Sequence, residues 1–76
     1  MFVIIRAKDR KLEYIDSAED MDEANAKIYD HLLEVYDGDE DKMNEDIEAG
    51  EAEYCDSNVF AWTNHNGQVD FAGFWA

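Results

Sequence analysis

The spacing of apolar and polar residues changes character along the chain, and each change marks an element. Residues 2–7, FVIIRA, are dense in branched and aromatic side chains and predict a first strand. KDRK is a polar turn, and LEYID at 12–16 predicts a second strand. With Asp9 and Arg10 as the loop residues, Arg6 faces Glu13, Ile4 faces Ile15 and Ile5 faces Tyr14, so an opposite-charge pair lies in line with apolar pairs. Beyond this hairpin the period lengthens. At roughly 100° per residue, Met21, Ala24, Ile28, Leu32 and Val35 fall on one helix face. The spacing predicts a helix over 18–36, with Ser17 as N-cap, Asp20 completing an imperfect capping box and Asp37-Gly38 as the stop. A second, shorter helix is expected over 39–53, with Met43, Ile47, Gly50 and Tyr54 at helical spacing and Gly50 weakening its end.

The pattern then returns to strands. VFAWTNH and QVDFAGFWA, at 59–65 and 68–76, flank Asn66-Gly67, a pair suited to the positive φ angles of a type I′ turn. That turn sets Trp62 opposite Phe71, Phe60 opposite Gly73 and Asn64 opposite Val69. Phe60, Trp62, Val69, Phe71 and Trp75 then share the face expected to line the core. Val59, Ala61, Thr63, Asp70, Ala72 and Phe74 share the other. The fold class expected is α+β: a four-stranded antiparallel sheet in ββααββ order, with one long and one short helix packed on one face. Seventy-six residues make a single domain, 1–76, with one small core.

Charge narrows the functional classes. The formal net charge is −14. Residues 1–11 are net positive, with Arg6, Lys8, Arg10 and Lys11 against Asp9. From 18 to 53 there are 15 of the 20 carboxylates against Lys27 and Lys42, a balance of −13. Such a surface repels nucleic acid and anionic membrane and attracts basic partners, of which nucleic-acid-binding proteins are the commonest. No apolar run approaches the length of a membrane-spanning helix. Cys55 is the single cysteine, which excludes an intrachain disulfide and fits a cytoplasmic location.

Several motifs offer chemistry and fall short of it. Asp37-Gly38-Asp39-Glu40-Asp41 resembles the opening of a calcium loop, with Glu45 and Glu48 at later ligand positions. Lys42, however, stands where the loop needs glycine, and Asn44 where an apolar residue would pack. Weak divalent-cation binding remains a third-ranked function. Cys55, His31 and His65 lack zinc-ligand spacing. Cys55 with a histidine would make a nucleophilic pair, but no residue supplies an oxyanion hole or an orienting third group. The carboxylates are expected to be solvated, without the split in pKa that acid–base catalysis needs. No enzyme, cofactor or metal site is therefore expected. The aromatic residues lack the basic flanks of a base-stacking platform, so direct nucleic-acid binding is not expected either.

What remains is the acidic stripe. On the predicted first helix, Glu19, Glu23, Asp30, Glu34 and Asp37 lie within about 40° of one line, opposite the apolar face. Asp39, Glu40, Asp41, Glu45, Asp46 and Glu48 extend the array onto the second helix. With the first helix spanning roughly 30 Å, the net charge amounts to one per about 2.3 Å, against one per about 1.7 Å of duplex DNA axis. In its size, its charge, its lack of a catalytic constellation and the stretch AEDMDEANAKIYDHLLEVYDGDEDKMNEDIEAGEAE, the chain resembles the small acidic DNA-mimic inhibitors of phages and mobile elements, of anti-CRISPR and anti-restriction type. The resemblance implies an inhibitor in the host cell cytoplasm that occupies the nucleic-acid channel of a defence nuclease or CRISPR-Cas complex. The alternative expectation is an acidic adaptor or a homodimer that uses the sheet face around Phe74 and Ala72.

Overall fold

The computed structural model describes residues 1–64 and 67–76. The first hairpin joins β1 (Phe2–Lys8) to β2 (Lys11–Ala18) through Asp9 and Arg10, whose φ angles of 54° and 65° are those of a type I′ turn. Arg6 pairs with Glu13 and Ile5 with Tyr14, as the sequence predicts, but Ile4 then pairs with Asp16 instead of Ile15. The extra residue makes a bulge, which re-aims the side chains beyond it. It brings Asp16 within 3.4 Å of both Lys27 Nζ and His31 Nε2.

The chain enters its helix later than the periodicity suggests. Ser17 pairs with Val3 and Ala18 with Phe2, so the expected N-cap belongs to β2. Burying Ala18 to 2% exposure beside Phe2 outweighs an extra helical turn. Helix α1 (Met21–Val35) is capped by Asp20, whose Oδ1 accepts the Glu23 N–H at 2.9 Å. It ends in a Schellman motif, with Asp37 N–H donating to the Glu34 carbonyl and Gly38 N–H to that of Leu33. The left-handed C′ residue is Asp37, at φ 55°, followed by Gly38 at φ 83°. Helix α2 (Glu40–Ala49) begins at the Asp39 cap and stops at Gly50, whose φ of 80° is left-handed.

The expected four-stranded ββααββ sheet is overturned. The sheet has five strands in the order β2-β1-β5-β4-β3, every pair antiparallel, and the chain runs ββααβββ. The missing strand is β3 (Ala52–Cys55), which the sequence assigned to the end of the second helix. Gly50 breaks that helix early, and Ala52 and Tyr54 then alternate with Glu53 and Cys55, pairing with Thr63 and Ala61 of β4 (Phe60–Thr63). Strand β5 (Val69–Trp75) lies between β4 and β1.

The C-terminal hairpin also differs from expectation by one residue. Trp62 pairs with Asp70, Phe60 with Ala72, Ala61 with Phe71 and Thr63 with Val69. Asn66 of the expected Asn66-Gly67 turn, like the neighbouring His65, lies outside the described residues. Because side chains alternate, a shift of one flips β4 against β5: Val69 and Phe71 face the core as expected, and Phe60 and Trp62 do not. Ala61, Thr63, Val69 and Phe71 are buried, whereas Phe60 and Trp62 are only half-buried.

The reason lies in the space beneath α1. Ile28 and Leu32 of α1 fill this core and are fully buried. The sheet opposite them supplies small residues. A Cβ on Gly73 would come within 2.7 Å of Val59 Cγ1 and 3.5 Å of Ile28 Cδ1. Val59 itself adopts φ 53°, a strained conformation for a β-branched residue, and buries its side chain to 2% exposure. Phenylalanine and tryptophan in place of Ala61 and Thr63 would overfill that layer.

Candidate interaction surface

Ten of the eleven carboxylates singled out from the sequence are exposed: Glu19, Glu23, Asp30, Glu34, Asp37, Asp39, Glu40, Asp41, Glu45 and Glu48. The eleventh, Asp46, is 6% exposed and turns inward. Its Oδ2 accepts the Tyr36 hydroxyl at 2.9 Å, and its Oδ1 accepts Lys42 Nζ at 2.8 Å. The Tyr36 hydroxyl also lies 3.0 Å from Thr63 Oγ1 on the sheet. Asp46 therefore docks α2 onto the core instead of joining the surface array. A buried carboxylate needs such partners, and this one has them. Burial chiefly raises the Tyr36 pKa, with Asp46 adding to it and Thr63 opposing.

The shorter helix changes the array's shape. Fifteen residues give α1 a length of about 22 Å instead of roughly 30 Å. Glu19 precedes it, and Asp37 lies in the turn after it. Glu23 and Asp30 are about 10 Å apart along the axis. Between them stands Lys27, 3.2 Å from Glu23 Oε1 and 2.6 Å from the Ser17 carbonyl. Its pKa is raised, first by the bond to Glu23 and then by Asp16. Asp16 in turn is held below the usual carboxylate range, chiefly by the Ser17 N–H, with His31 and Lys27 adding to that.

The dense part of the array is the corner where α1 meets α2. Asp30, Glu34, Asp37, Asp39, Glu40 and Asp41 are exposed there, and Glu45 and Glu48 continue the exposed array along α2. Lys42, the one lysine of that stretch, is drawn to Asp46, which raises its pKa. The corner is braced twice: by the Tyr36–Asp46 bond and by the Tyr29 hydroxyl, which donates to Glu40 Oε2 and has its pKa raised mainly by that bond. Neither helix has a basic residue in its last turn. Glu34, Asp37 and Glu48 instead crowd the negative ends of the helix dipoles, an unfavourable placement of order 0.3–1 kcal/mol each at a surface.

Residues 40–49 are helical, so the calcium-loop spacing never forms a loop, and Asp39 caps α2 through the Lys42 N–H. Among the described residues no three His, Cys, Asp or Glu side chains converge on a point that would hold a metal ion. The Cys55 pKa is lowered, chiefly by Ser57. A cleft of about 250 Å³ between α1 and the sheet is lined by Arg6, Lys8, His31 and Glu34 over Val69 and Phe71. In it, Arg6 is paired with Glu13, and His31 stacks on Phe71 with ring centroids 5.9 Å apart.

The outer sheet face carries Asp70, Ala72 and Phe74 as the sequence predicts, but Phe60 and Trp62 join them in place of Ala61 and Thr63. Three rows of side chains cross it, as the pairing requires. The first holds Glu53, Trp62, Asp70, Ala7 and Leu12; the second Cys55, Phe60, Ala72, Ile5 and Tyr14; the third Phe74, Val3 and Ser17. Leu12 is 75% exposed, Tyr14 63% and Phe74 49%. The unbroken apolar run in β1 was the available signal, because a strand with one face in water normally alternates apolar with polar.

Among the described residues no helix is long and apolar enough to cross a membrane. Comparison with known protein families, with characterised proteins and with solved structures gives no match for this chain.

Proposed function

We propose that the protein is a DNA-mimic inhibitor: it binds the basic nucleic-acid-binding groove of a host defence nuclease or CRISPR-Cas complex and blocks DNA binding. The observation that supports this is the acidic α1–α2 surface, where eight exposed carboxylates run from Asp30 to Glu48 around a braced turn and the one nearby lysine is paired with Asp46. Like charges at this density oppose folding, and the negative helix ends add to the opposition. A partner with a groove shaped for phosphates offsets that repulsion. Glu34, Asp37, Asp39, Glu40 and Asp41 form the centre of the contact, with Asp30, Glu45 and Glu48 flanking it and Glu19 and Glu23 at a distance. The target is basic and binds nucleic acid; this protein does not.

The test is competition. A pull-down from host lysate supplies the target, and DNA binding by that target is then measured against increasing inhibitor at two salt concentrations. The Asp30→Lys, Glu34→Lys double variant changes the array by +4. Close charge pairs at interfaces contribute upward of about 1.5 kcal/mol each, so inhibition is expected to fall by roughly 100-fold or more. Full inhibition by the double variant, or inhibition unaffected by salt, refutes the reading.

A further inference from the structure

We propose that the outer sheet face is the contact surface of a symmetric homodimer, two copies packing sheet against sheet with their helix layers outermost. This inference does not depend on what the acidic corner binds. It starts from the failed alternation. Val3, Ile5, Ala7, Tyr14, Phe60, Ala72 and Phe74 all lie on the face away from α1; Tyr14 and Phe74 are exposed and the other five half-buried. Seven apolar side chains on the sheet face turned away from the helices are the pattern of a sheet with both sides covered.

Size and charge select a second copy as the cover. Five strands at about 4.8 Å and seven residues at about 3.4 Å give a footprint on the order of 500 Å² before side-chain relief is counted. That falls in the upper part of the roughly 300–600 Å² of a monomer's largest patch, a size that is often functional, and two such faces together reach the roughly 1,000 Å² that a specific interface should clear. The charged residues on the face, Glu53 and Asp70, both lie in the row with Trp62, toward one end. The middle and far rows carry none, so an isologous contact centred there buries no charge. The acidic helices face the opposite way. Sheets stack about 10 Å apart, which sets the two acidic layers roughly 30 Å from each other. Their repulsion is screened at that distance, since the Debye length is about 8 Å at physiological salt. A partner with a basic surface would gain nothing from this face, because the acid lies on the other side.

Sedimentation velocity over a dilution series from high to low micromolar is the test, on wild type, Phe74→Glu and Tyr14→Lys, with circular dichroism as the check on folding. Wild type is expected to sediment at twice the 8.8 kDa chain mass at the high end. Each variant, placing a charge among the apolar rows, is expected to weaken the dimer by about 30-fold or more. Should Phe74→Glu fail to fold, Tyr14→Lys decides, since that side chain is 63% exposed at the sheet edge. A monomeric wild type at every concentration overturns the proposal and leaves the face to a different partner. A dimer that folded Tyr14→Lys leaves intact overturns it too, by placing the contact elsewhere.

Discussion

Replacing Asp46 with alanine separates the buried carboxylate from the exposed array around it. The substitution removes the acceptor of the Tyr36 hydroxyl, at 2.9 Å, and of Lys42 Nζ, at 2.8 Å. Hydrogen bonds to a charged group contribute about 1.5–3 kcal/mol. Tyr36 keeps its contact with Thr63 Oγ1, which limits the penalty on its hydroxyl. Lys42 is 44% exposed and regains water, so its share is small. The expected loss is therefore about 2–3 kcal/mol, a large part of the roughly 4–11 kcal/mol available to a domain of this length. With an unfolding entropy near 2.1 cal/mol/K per residue, that corresponds to a midpoint lowered by about 12–18 °C. Glu45→Ala, one position away but in water, removes an exposed charge and is expected to stay within about 3 °C of wild type. Thermal melts by circular dichroism read both. An Asp46→Ala midpoint within that same narrow band would mean that the Tyr36–Asp46 bond does not hold α2, and that Asp46 belongs with the surface array after all.

The other expectations concern charge and the two sheet faces. Raising monovalent salt from 0.01 to 0.15 M, which shortens the Debye length from about 30 to about 8 Å, is expected to raise the melting midpoint by screening the acidic corner; a flat or falling midpoint contradicts this. Phe71→Ala, inside the core, is expected to lose about 3–5 kcal/mol in chemical denaturation, whereas Trp62→Ala on the outer face loses less; the reverse order would restore the other hairpin register. Asp16 has a lowered folded pKa, so its contribution is full above its ordinary value of 3.8 and is lost as pH falls through the folded value. The gap in midpoint between wild type and Asp16→Asn is therefore expected at neutral pH and to close in acid, and a gap that persists at the lowest pH would assign the effect to packing.

The acidic array was visible in the sequence because exposure of a carboxylate is the default, and ten of eleven obeyed it. Asp46 broke the rule for a reason no pattern carries. Its partner Tyr36 lies 10 residues away and itself meets Thr63, 27 residues from Tyr36 along the chain, and only the fold brings them together. The apolar stripe of α1 was legible down to Ala24, Ile28 and Leu32, all fully buried. Its first turn was not, because Ser17 and Ala18 suit a helix N-terminus and a strand end alike, and Phe2 settled the matter from across the sheet.

By itself the sequence determined the local elements whose signals are short-range: the β1–β2 turn at Asp9-Arg10, the body of α1, the stop at Asp37-Gly38 and the acidity of the helix layer. The tertiary structure decided strand number and the face that β4 buries. Aromatic residues hold the most apolar surface, so a reading by side chain alone sends Phe60 and Trp62 inward. At β4 the core instead took Ala61 and Thr63, with Gly73 beside them, because Ile28, Leu32 and Val59 crowd that part of the layer, whereas Phe71 found room further along β5. Burial is settled by the volume left between packed layers, a property of the whole sheet and helix together.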